Sequence, residues 1–440
     1  MLSREENERI TRVGPGTPMG NLLRRYWMPV AMSTELPAPD CEPLEVKLLG
    51  EELVAFRDTA GQVGLLDRYC PHRRASMWLG RNEEHGLRCV FHGWKFDVEG
   101  RCVEMPSEPA VTDFKDKVRM TSYPTLEQGG VIWAYMGPPD LMPAPPNFEW
   151  TQVPDTHRSI SKTWEECSWL QALEGGVDSA HSSFLHRALG GAVTRGGFSA
   201  NGFRARAGNP DIEVRLADWG YTYASIRHLG EEGDYVRTYH YVLPFTQIRA
   251  QQFGANNEVS GGGTGAPVIA GHMWVPMDDE NCMVYNWRYS FGTEPLANAA
   301  ALESSSGRAP SDQDKNFRKI RNKDNRWLID REVQRTLTFT GIEGVNTQDH
   351  AIQESMGPIV DRSKEHLGTI DRAIIALRRL LLDGMEINER GGDPPGSSPA
   401  YYRIRAIERL LPQNTAWWSA LSDEILNAEE STEEARLARV

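Results

Sequence analysis

The chain has 440 residues, 40% of them hydrophobic and 25% charged, the make-up of an ordinary globular protein of two or three domains. Lys and Arg number 48 against 61 Asp and Glu, a net charge of −13; without a basic block to neutralise phosphates, nucleic acid is excluded as a partner, and a basic protein partner suits it better. No apolar run approaches the ~20 residues of a membrane span and Met1–Arg12 lacks the apolar stretch of a signal peptide, so membrane and secretion are excluded and a cytoplasmic chain with six reduced cysteines is expected.

In chain order, an arm over residues 1–22 leads into a first domain, 23–140, that reads as short β-strands. Leu44–Leu49 and Glu52–Phe56 are apolar or alternating over strand length, and Gly50, Gly61, Gly80, Gly93 and Gly100 punctuate the segment. Gly129–Gly137 closes the block as a further strand. Pro138-Pro-Asp-Leu-Met-Pro-Ala-Pro-Pro is a proline-dense link, and 141–440 forms the second domain. There Trp164–Leu189 predicts a helix, weakened at Gly175-Gly176. Strands return at Asp211–Leu216, Tyr235–Leu243 and Cys282–Tyr289, with Gly261-Gly-Gly-Thr-Gly as a loop. Residues 294–325 read as a mobile insertion with some helix. Ile370–Leu382 and Ala400–Glu430 read as amphipathic helices, separated by Gly391-Gly-Asp-Pro-Pro-Gly. The fold class expected is α+β.

Two constellations carry chemistry. Cys70-Pro-His72 and Cys89-Val-Phe-His92 each put one thiolate and one imidazole on a turn between strands. Such a set holds either one zinc ion or a Rieske [2Fe–2S] cluster, with two Cys on one iron and two His on the other. Cys102 is read as packing. The second constellation is Glu174-x3-Asp178-x2-His181-x4-His186. Glu174, Asp178 and His181 would share one helix face, whereas His186 would be turned about 140° away in a regular helix. Both imidazoles therefore meet one metal only where the helix bulges or ends, and Ser182 and Ser183 favour such a break. Two histidines and one carboxylate make the facial triad that leaves positions open on Fe(II) for dioxygen and substrate.

Cys70-Pro-His-Arg and Cys89-Val-Phe-His-Gly-Trp-Lys-Phe-Asp resemble the Rieske loops of non-haem iron ring-hydroxylating oxygenases, and the histidine segment resembles the iron site of the same family. Val13-Gly-Pro-Gly-Thr-Pro-Met-Gly, Arg24-Arg-Tyr-Trp, Met105-Pro-Ser-Glu and Gln353-Glu-Ser-Met-Gly-Pro-Ile-Val-Asp-Arg-Ser are similar to the phthalate dioxygenase-like branch. The resemblance runs over essentially the whole chain. It implies a small all-β Rieske domain and a catalytic domain whose antiparallel sheet wraps around helices (helix-grip, START-like). Each subunit would carry one [2Fe–2S] cluster on Cys70, His72, Cys89 and His92, and one mononuclear Fe(II) on His181, His186 and an Asp from a late helix. Asn346-Thr-Gln-Asp349-His-Ala-Ile-Gln-Glu354 matches that last motif, so Asp349 is the implied ligand, with Asp324, Asp330 and Asp361 as alternatives.

By the same resemblance Asp178 is the aspartate that bridges His181 to the outer Rieske histidine, by position His92, of a neighbouring subunit, which implies a homotrimer or stacked trimers. Glu174 stands where other members carry Asn near the iron. The implied reaction is dihydroxylation of an aromatic carboxylate of the phthalate or halobenzoate type with O2. Electrons would come from a separate NADH-dependent reductase carrying FMN and a [2Fe–2S] centre. The chain has no dinucleotide-binding glycine motif of its own, in agreement with an external donor. Oxidative O-demethylation of a methoxylated aromatic acid is the alternative reaction. A Rieske electron-transfer protein and a zinc scaffold are the alternatives of other classes. A carboxylate substrate in so acidic a chain calls for an arginine fork. Arg204, Arg206 and Arg249 lead, as residues flanking pocket-lining strands, ahead of Arg237 and Arg288.

Overall fold

Short apolar runs broken by glycines become ten strands: β1 (Trp27–Met32), β2 (Leu44–Leu48), β3 (Glu51–Arg57), β4 (Val63–Asp67), β5 (Arg81–Glu83), β6 (Gly86–Arg88), β7 (Lys95–Phe96), β8 (Cys102–Glu104), β9 (Thr125–Gln128) and β10 (Val131–Tyr135). They form three antiparallel sheets, ordered β1-β10-β9, β2-β3-β4 and β5-β6-β7-β8. A small core of Val54, Phe56, Leu66, Leu87, Trp94, Phe96 and Met120 encloses Cys70 and Cys89. This is a computed structural model, and it describes residues 2–189, 200–250, 268–397 and 404–426. The chain divides into two units: residues 13–145 with 276–278, and residues 1–12 with 146–275 and 279–440.

The second unit is built on one sheet, with β11 (Arg158–Glu165), β12 (Asp211–Ala217), β13 (Gly220–His228), β14 (Asp234–Val242), β15 (Thr246–Ala250), β16 (Val268–Pro276), β17 (Cys282–Ser290) and β18 (Glu408–Leu411). The order is β11-β17-β16-β15-β14-β13-β12. β14 pairs with β18 along Asp234–Arg237 and with β15 along Tyr239–Val242. Every residue of β14 and β16 is buried, so the central strands are covered on both faces rather than alternating inside and out. One face grips helices. Tyr223 Oη donates to the Val177 carbonyl at 2.9 Å, Gln247 Nε2 to Gly176 at 2.8 Å and Tyr221 Oη to Ala373 at 2.7 Å. The helices so held are Trp169–Val177 and Arg372–Glu389. A third, Val345–Ser355, crosses the first, with Gln171 Nε2 donating to the Gln353 carbonyl. Among the described residues no helix is long and apolar enough to cross a membrane.

Several sequence expectations change. The helix expected over Trp164–Leu189 is Trp169–Val177 alone; Trp164 and Glu165 end β11, whose partner β17 is fully paired along it. Of Ala400–Glu430, Glu408–Leu411 is a strand completing the edge of β14, and only Trp417–Leu426 is helical; Ala400 to Arg403 and Asn427 to Glu430 lie outside the described residues. So does Gly261-Gly-Gly-Thr-Gly. The arm expected over 1–22 is divided, because Asn7 in the helix Arg4–Thr11 bonds Val360 and Arg362 of the second unit. Residues 294–325 are anchored rather than loose. Glu303 accepts from Ser161 at 2.6 Å, Gln313 bonds Thr163, and Lys319 is buried with Nζ on the Gly307 carbonyl and Thr347 Oγ1. Their polar side chains, which suggested mobility, are the anchors.

Candidate active site

In the first unit the loops after β4 and β6 bring four donors together in two pairs. Cys70 and Cys89 are buried, and the Cys70 sulfur close by holds the Cys89 thiol below its ordinary value. Backbone N–H groups of His72 and Arg73 point at the Cys70 sulfur, and those of Phe91 and His92 at Cys89. The imidazoles of His72 and His92 lie edge to face, centroids 4.4 Å apart, and His72 stacks on Trp94 at 4.5 Å. Gly93, at φ +78°, makes the turn after His92; a Cβ there would meet Pro106 at 2.7 Å. Two observations test what the donors fit. His92 Nδ1 is buried without a hydrogen-bond partner, as a ligand atom is before its metal is counted. Two buried thiols and two neighbouring imidazoles are the donor set of a [2Fe–2S] cluster with two Cys on one iron and two His on the other. Cys102 is buried with Sγ on the Glu104 carbonyl.

In the second unit one group of three does converge. Ligand atoms of His181, His186 and Asp349 all lie within 4.8 Å of one another, the set of this kind among the described residues. Asp349 Oδ1 is 3.6 Å from His181 Nε2 and 3.1 Å from His186 Nε2. The helix Trp169–Val177 ends at Asp178, which is extended at ψ 125° and accepts from the Ala180 N–H at 2.7 Å. This local side-chain bond offers the backbone an alternative to further helix. The chain then turns through His181–Ser183, and the break brings the two rings to 5.1 Å and 81°. The helix thus ends at this site, and no bulge is needed. Asp349 comes from the Val345–Ser355 helix, entered through Gly344 at φ +87°.

Around the triad, the other ring nitrogens face different chemistry, and of the two only that of His186 is hydrogen-bonded. His181 Nδ1 faces Asp178 Oδ2 at 3.3 Å. Burial alone would raise the Asp178 carboxyl, but the imidazole and two backbone N–H groups outweigh it and hold it low. His186 Nδ1 meets Gln348 Oε1 at 2.8 Å, and Asn346 Nδ2 reaches Asp349 Oδ2 at 3.3 Å. His350 points away into the core toward Glu165. The alternative aspartates are committed elsewhere. Asp324 pairs with Arg318, Asp330 caps the helix Arg331–Thr336, and Asp361 accepts from Ser363.

Glu174 does not face the triad's chemistry. Its carboxylate takes three contacts from Arg362, at 3.0–3.3 Å, and one from Arg378 at 2.6 Å, all buried. Burial pushes it up, and the two guanidiniums more than reverse that.

The candidate substrate arginines separate sharply. Arg204 and Arg206 lie on the helix Ala200–Arg206, not on a strand. Arg206 is exposed and paired with Glu232, and Arg204 pairs with the fully buried Glu408. Arg237 also pairs with Glu408, at 2.8 Å. Arg249 on β15 is different. It is two residues from Gln247, hence on the helix-gripping face, and forms no hydrogen bond or ion pair with the described residues. Burial lowers its guanidinium to about 9, helped by Arg237, Arg288 and Arg308 and opposed by Asp349. Arg288 on β17 is buried with Nη1 unpartnered. Sequence reasoning missed two polar residues on this face. Asn286 Oδ1 holds His272 Nδ1 at 2.7 Å, and burial with Arg249 keeps that imidazole neutral. Strand alternation in Val268–Pro276 and Cys282–Ser290 was the available signal. Gln348 and Asn346 were also missed, although they stand one and three residues before Asp349.

Two family models match the chain: Rieske [2Fe-2S] domain over residues 26–115, and LigXa C-terminal domain like over residues 134–437. The chain is 37% identical over 431 residues to the phthalate 4,5-dioxygenase oxygenase subunit of Pseudomonas putida, spanning 95% of this chain and 94% of that protein. It is 34% identical over 428 residues to the 5,5'-dehydrodivanillate O-demethylase oxygenase subunit of Sphingobium sp. (strain NBRC 103272 / SYK-6), spanning 94% and 87%. The solved structure of the Pseudomonas putida CBB5 NdmA QL mutant with theobromine shares the fold, with a TM-score of 0.61 over 87% of this chain and 96% of that one at 20% identity.

Proposed function

The chain belongs to the Rieske non-haem iron oxygenases, as an oxygenase component that holds one Rieske [2Fe–2S] cluster and one mononuclear iron and uses dioxygen, and from that premise we propose that it dihydroxylates an aromatic carboxylate held by Arg249. The observation that carries the substrate class is Arg249 itself: a guanidinium on the helix-gripping face, within the electrostatic reach of Asp349 and without an ion pair among the described residues. An unpaired cation that is partly withdrawn from water is costly, and a carboxylate ligand relieves that cost while its ring is presented to the triad. The fork fixes orientation bidentately. Arg288 adds positive potential at the same face, and neutral His272 supplies a directional contact without competing for the anion.

Cys70, Cys89, His72 and His92 would hold the cluster, and His181, His186 and Asp349 would hold the iron. When bound, the two centres supply one-electron transfer and dioxygen activation. Asp178 lies beside His181 Nδ1 at 3.3 Å and, with its side chain 23% exposed, is the group that a neighbouring subunit's His92 would meet. Exposed Val90 and Phe91 beside His92 in one unit, and exposed Phe184, Leu337 and Phe339 near His186 in the other, support docking between copies in a homotrimer or stacked trimers. Both relatives are named as oxygenase subunits, which supports a separate NADH-dependent reductase with FMN and a [2Fe–2S] centre as electron donor.

The second reading, O-demethylation of a methoxylated aromatic acid, is supported by the 34% identity to the demethylase subunit. Incubation with a reductase of that type, NADH and a panel of benzoates, phthalates and methoxybenzoates separates the two by product mass. Dihydroxylation adds two oxygens and two hydrogens. Loss of a methylene mass with release of formaldehyde transfers the assignment to demethylation. Turnover of no aromatic acid removes the carboxylate anchor.

A further inference from the structure

The two imidazoles of the triad have unlike partners, and we infer that Gln348 is a positioning residue that fixes the direction of the His186 ring, with Nε2 turned to the metal. The inference rests on the iron-site reading above, not on the substrate. His181 Nδ1 faces a carboxylate, Asp178 Oδ2, at 3.3 Å. His186 Nδ1 faces an amide oxygen, Gln348 Oε1, at 2.8 Å. An amide oxygen only accepts, so the contact fixes the proton on Nδ1. Nε2, 3.1 Å from Asp349 Oδ1, is thereby turned toward the triad.

Gln348 cannot exchange its oxygen and nitrogen at no cost. Its Nε2 donates to the Ile342 carbonyl at 2.8 Å, and a flipped amide would set donor against N–H at one end and oxygen against oxygen at the other. The residue is buried and precedes Asp349 on the same helix, so a single turn of the chain supplies one ligand and orients another. The Ile342 N–H is itself taken up by Thr340 Oγ1 at 3.2 Å, which fixes the carbonyl that fixes the amide.

The electronic consequence follows from the partner types. A carboxylate shares the Nδ1 proton and makes the imidazole a stronger electron donor, whereas an amide orients without doing so. The two imidazoles thus differ: Asp178 stands near His181 Nδ1 without a hydrogen bond to it, whereas Gln348 holds His186 Nδ1 through one. A second carboxylate at 348 would remove that asymmetry.

The test compares full-length wild type, Gln348→Glu and Gln348→Leu loaded with Fe(II). The readouts are the dissociation constant of the mononuclear iron and the EPR spectrum of its nitric oxide adduct, with the absorption of the [2Fe–2S] cluster as the check on folding. Gln348→Leu is expected to bind Fe(II) about 10–100-fold more weakly and to give a heterogeneous adduct spectrum, because the ring has lost its fixed direction. Gln348→Glu is expected to bind at least as tightly as wild type and to shift the spectrum to one new form. Wild-type affinity with an unchanged spectrum in Gln348→Leu overturns the inference. So does Gln348→Glu binding as weakly as Gln348→Leu, which would reduce the residue to packing. A wild-type chain that takes up no iron beyond the two of the cluster overturns the iron-site reading instead, and the two failures are told apart.

Discussion

Asp178 accepts a backbone N–H on each carboxylate oxygen, from Ala180 at 2.7 Å and from His181 at 3.3 Å. Oδ1 takes the Ala180 N–H and ends the helix, while Oδ2 faces His181. Asp178→Asn keeps the shape and removes the charge, so both metals are expected to stay while reductase-driven turnover falls about 10–100-fold; iron content and coupled oxygen uptake check this, and normal coupled activity would strip Asp178 of its role. Glu174, one turn earlier, has an architectural part. Removing one partner of a buried ion cluster costs about 3–5 kcal/mol, so Glu174→Gln is expected to lower the denaturation midpoint and leave the iron in place. The pH dependence has a definite sign. The folded carboxyl is held below its unfolded value of 4.5, so its contribution is present above pH ~4.5 and is lost as pH falls through the folded value. The variant is therefore expected to show a shallower acid limb than wild type when midpoints are measured from pH 7 downward. Sequence spacing alone could not separate Asp178 from Glu174, because both fit one helix face. What separates them is Arg362 and Arg378, about 200 residues further on, and no local pattern encodes that meeting.

At the level of elements, the Trp169–Val177 helix packs so closely that its glycines are obligatory. A Cβ on Gly176 would lie 2.1 Å from the Trp274 ring, and one on Gly175 would lie 2.0 Å from Gln353 Nε2. Helix propensity favours Ala over Gly by roughly 0.5–1 kcal/mol, but overpacking costs about 1–3 kcal/mol, so the steric term wins. Gly176→Ala is expected to lower Tm, and a rise would show that the close approach is not felt. At the open end of the sheet, His228 ties β12 to β14 through Asp211 and Asp234, at 3.0 and 2.7 Å. Both carboxylates raise its pKa against burial. That contribution is complete below pH ~6.5, the unfolded value, and is lost as pH rises through the folded one. His228→Gln is expected to flatten this slope in Tm between pH 6 and 9, and an unchanged slope would assign it elsewhere. Strand existence was legible from β-branched and aromatic runs between glycines. Boundaries around Trp164 and Glu408 were not, because pairing with β17 and β14 decides them, and that pairing is a property of the folded sheet.

For the whole molecule, metal donors were the most legible part. Cys-x-His and Cys-x-x-His, and His-x4-His at the end of a helix, are short-range patterns that chemistry imposes on neighbours in sequence. Asp349 was reached only through family resemblance, and Arg249 stood out from Arg204 and Arg206 only once their ion pairs with Glu408 and Glu232 were visible. If Asp178 works across subunits, co-assembled Cys70→Ser and His181→Ala chains, each inactive alone, are expected to regain part of the activity in mixed oligomers; no recovery would confine electron transfer to one chain. The most direct test of oxygen insertion into an arginine-held aromatic acid needs no reductase. Chemically reduced protein, mixed with an aromatic acid without air and then exposed to isotopically labelled dioxygen, is expected to give a cis-dihydrodiol bearing two labelled oxygens, at close to stoichiometric yield on the mononuclear iron, and Arg249→Met is expected to lose most of that yield at sub-saturating acid. Oxidation of the cluster with no labelled product from any aromatic acid, or an undiminished yield in Arg249→Met, would contradict it.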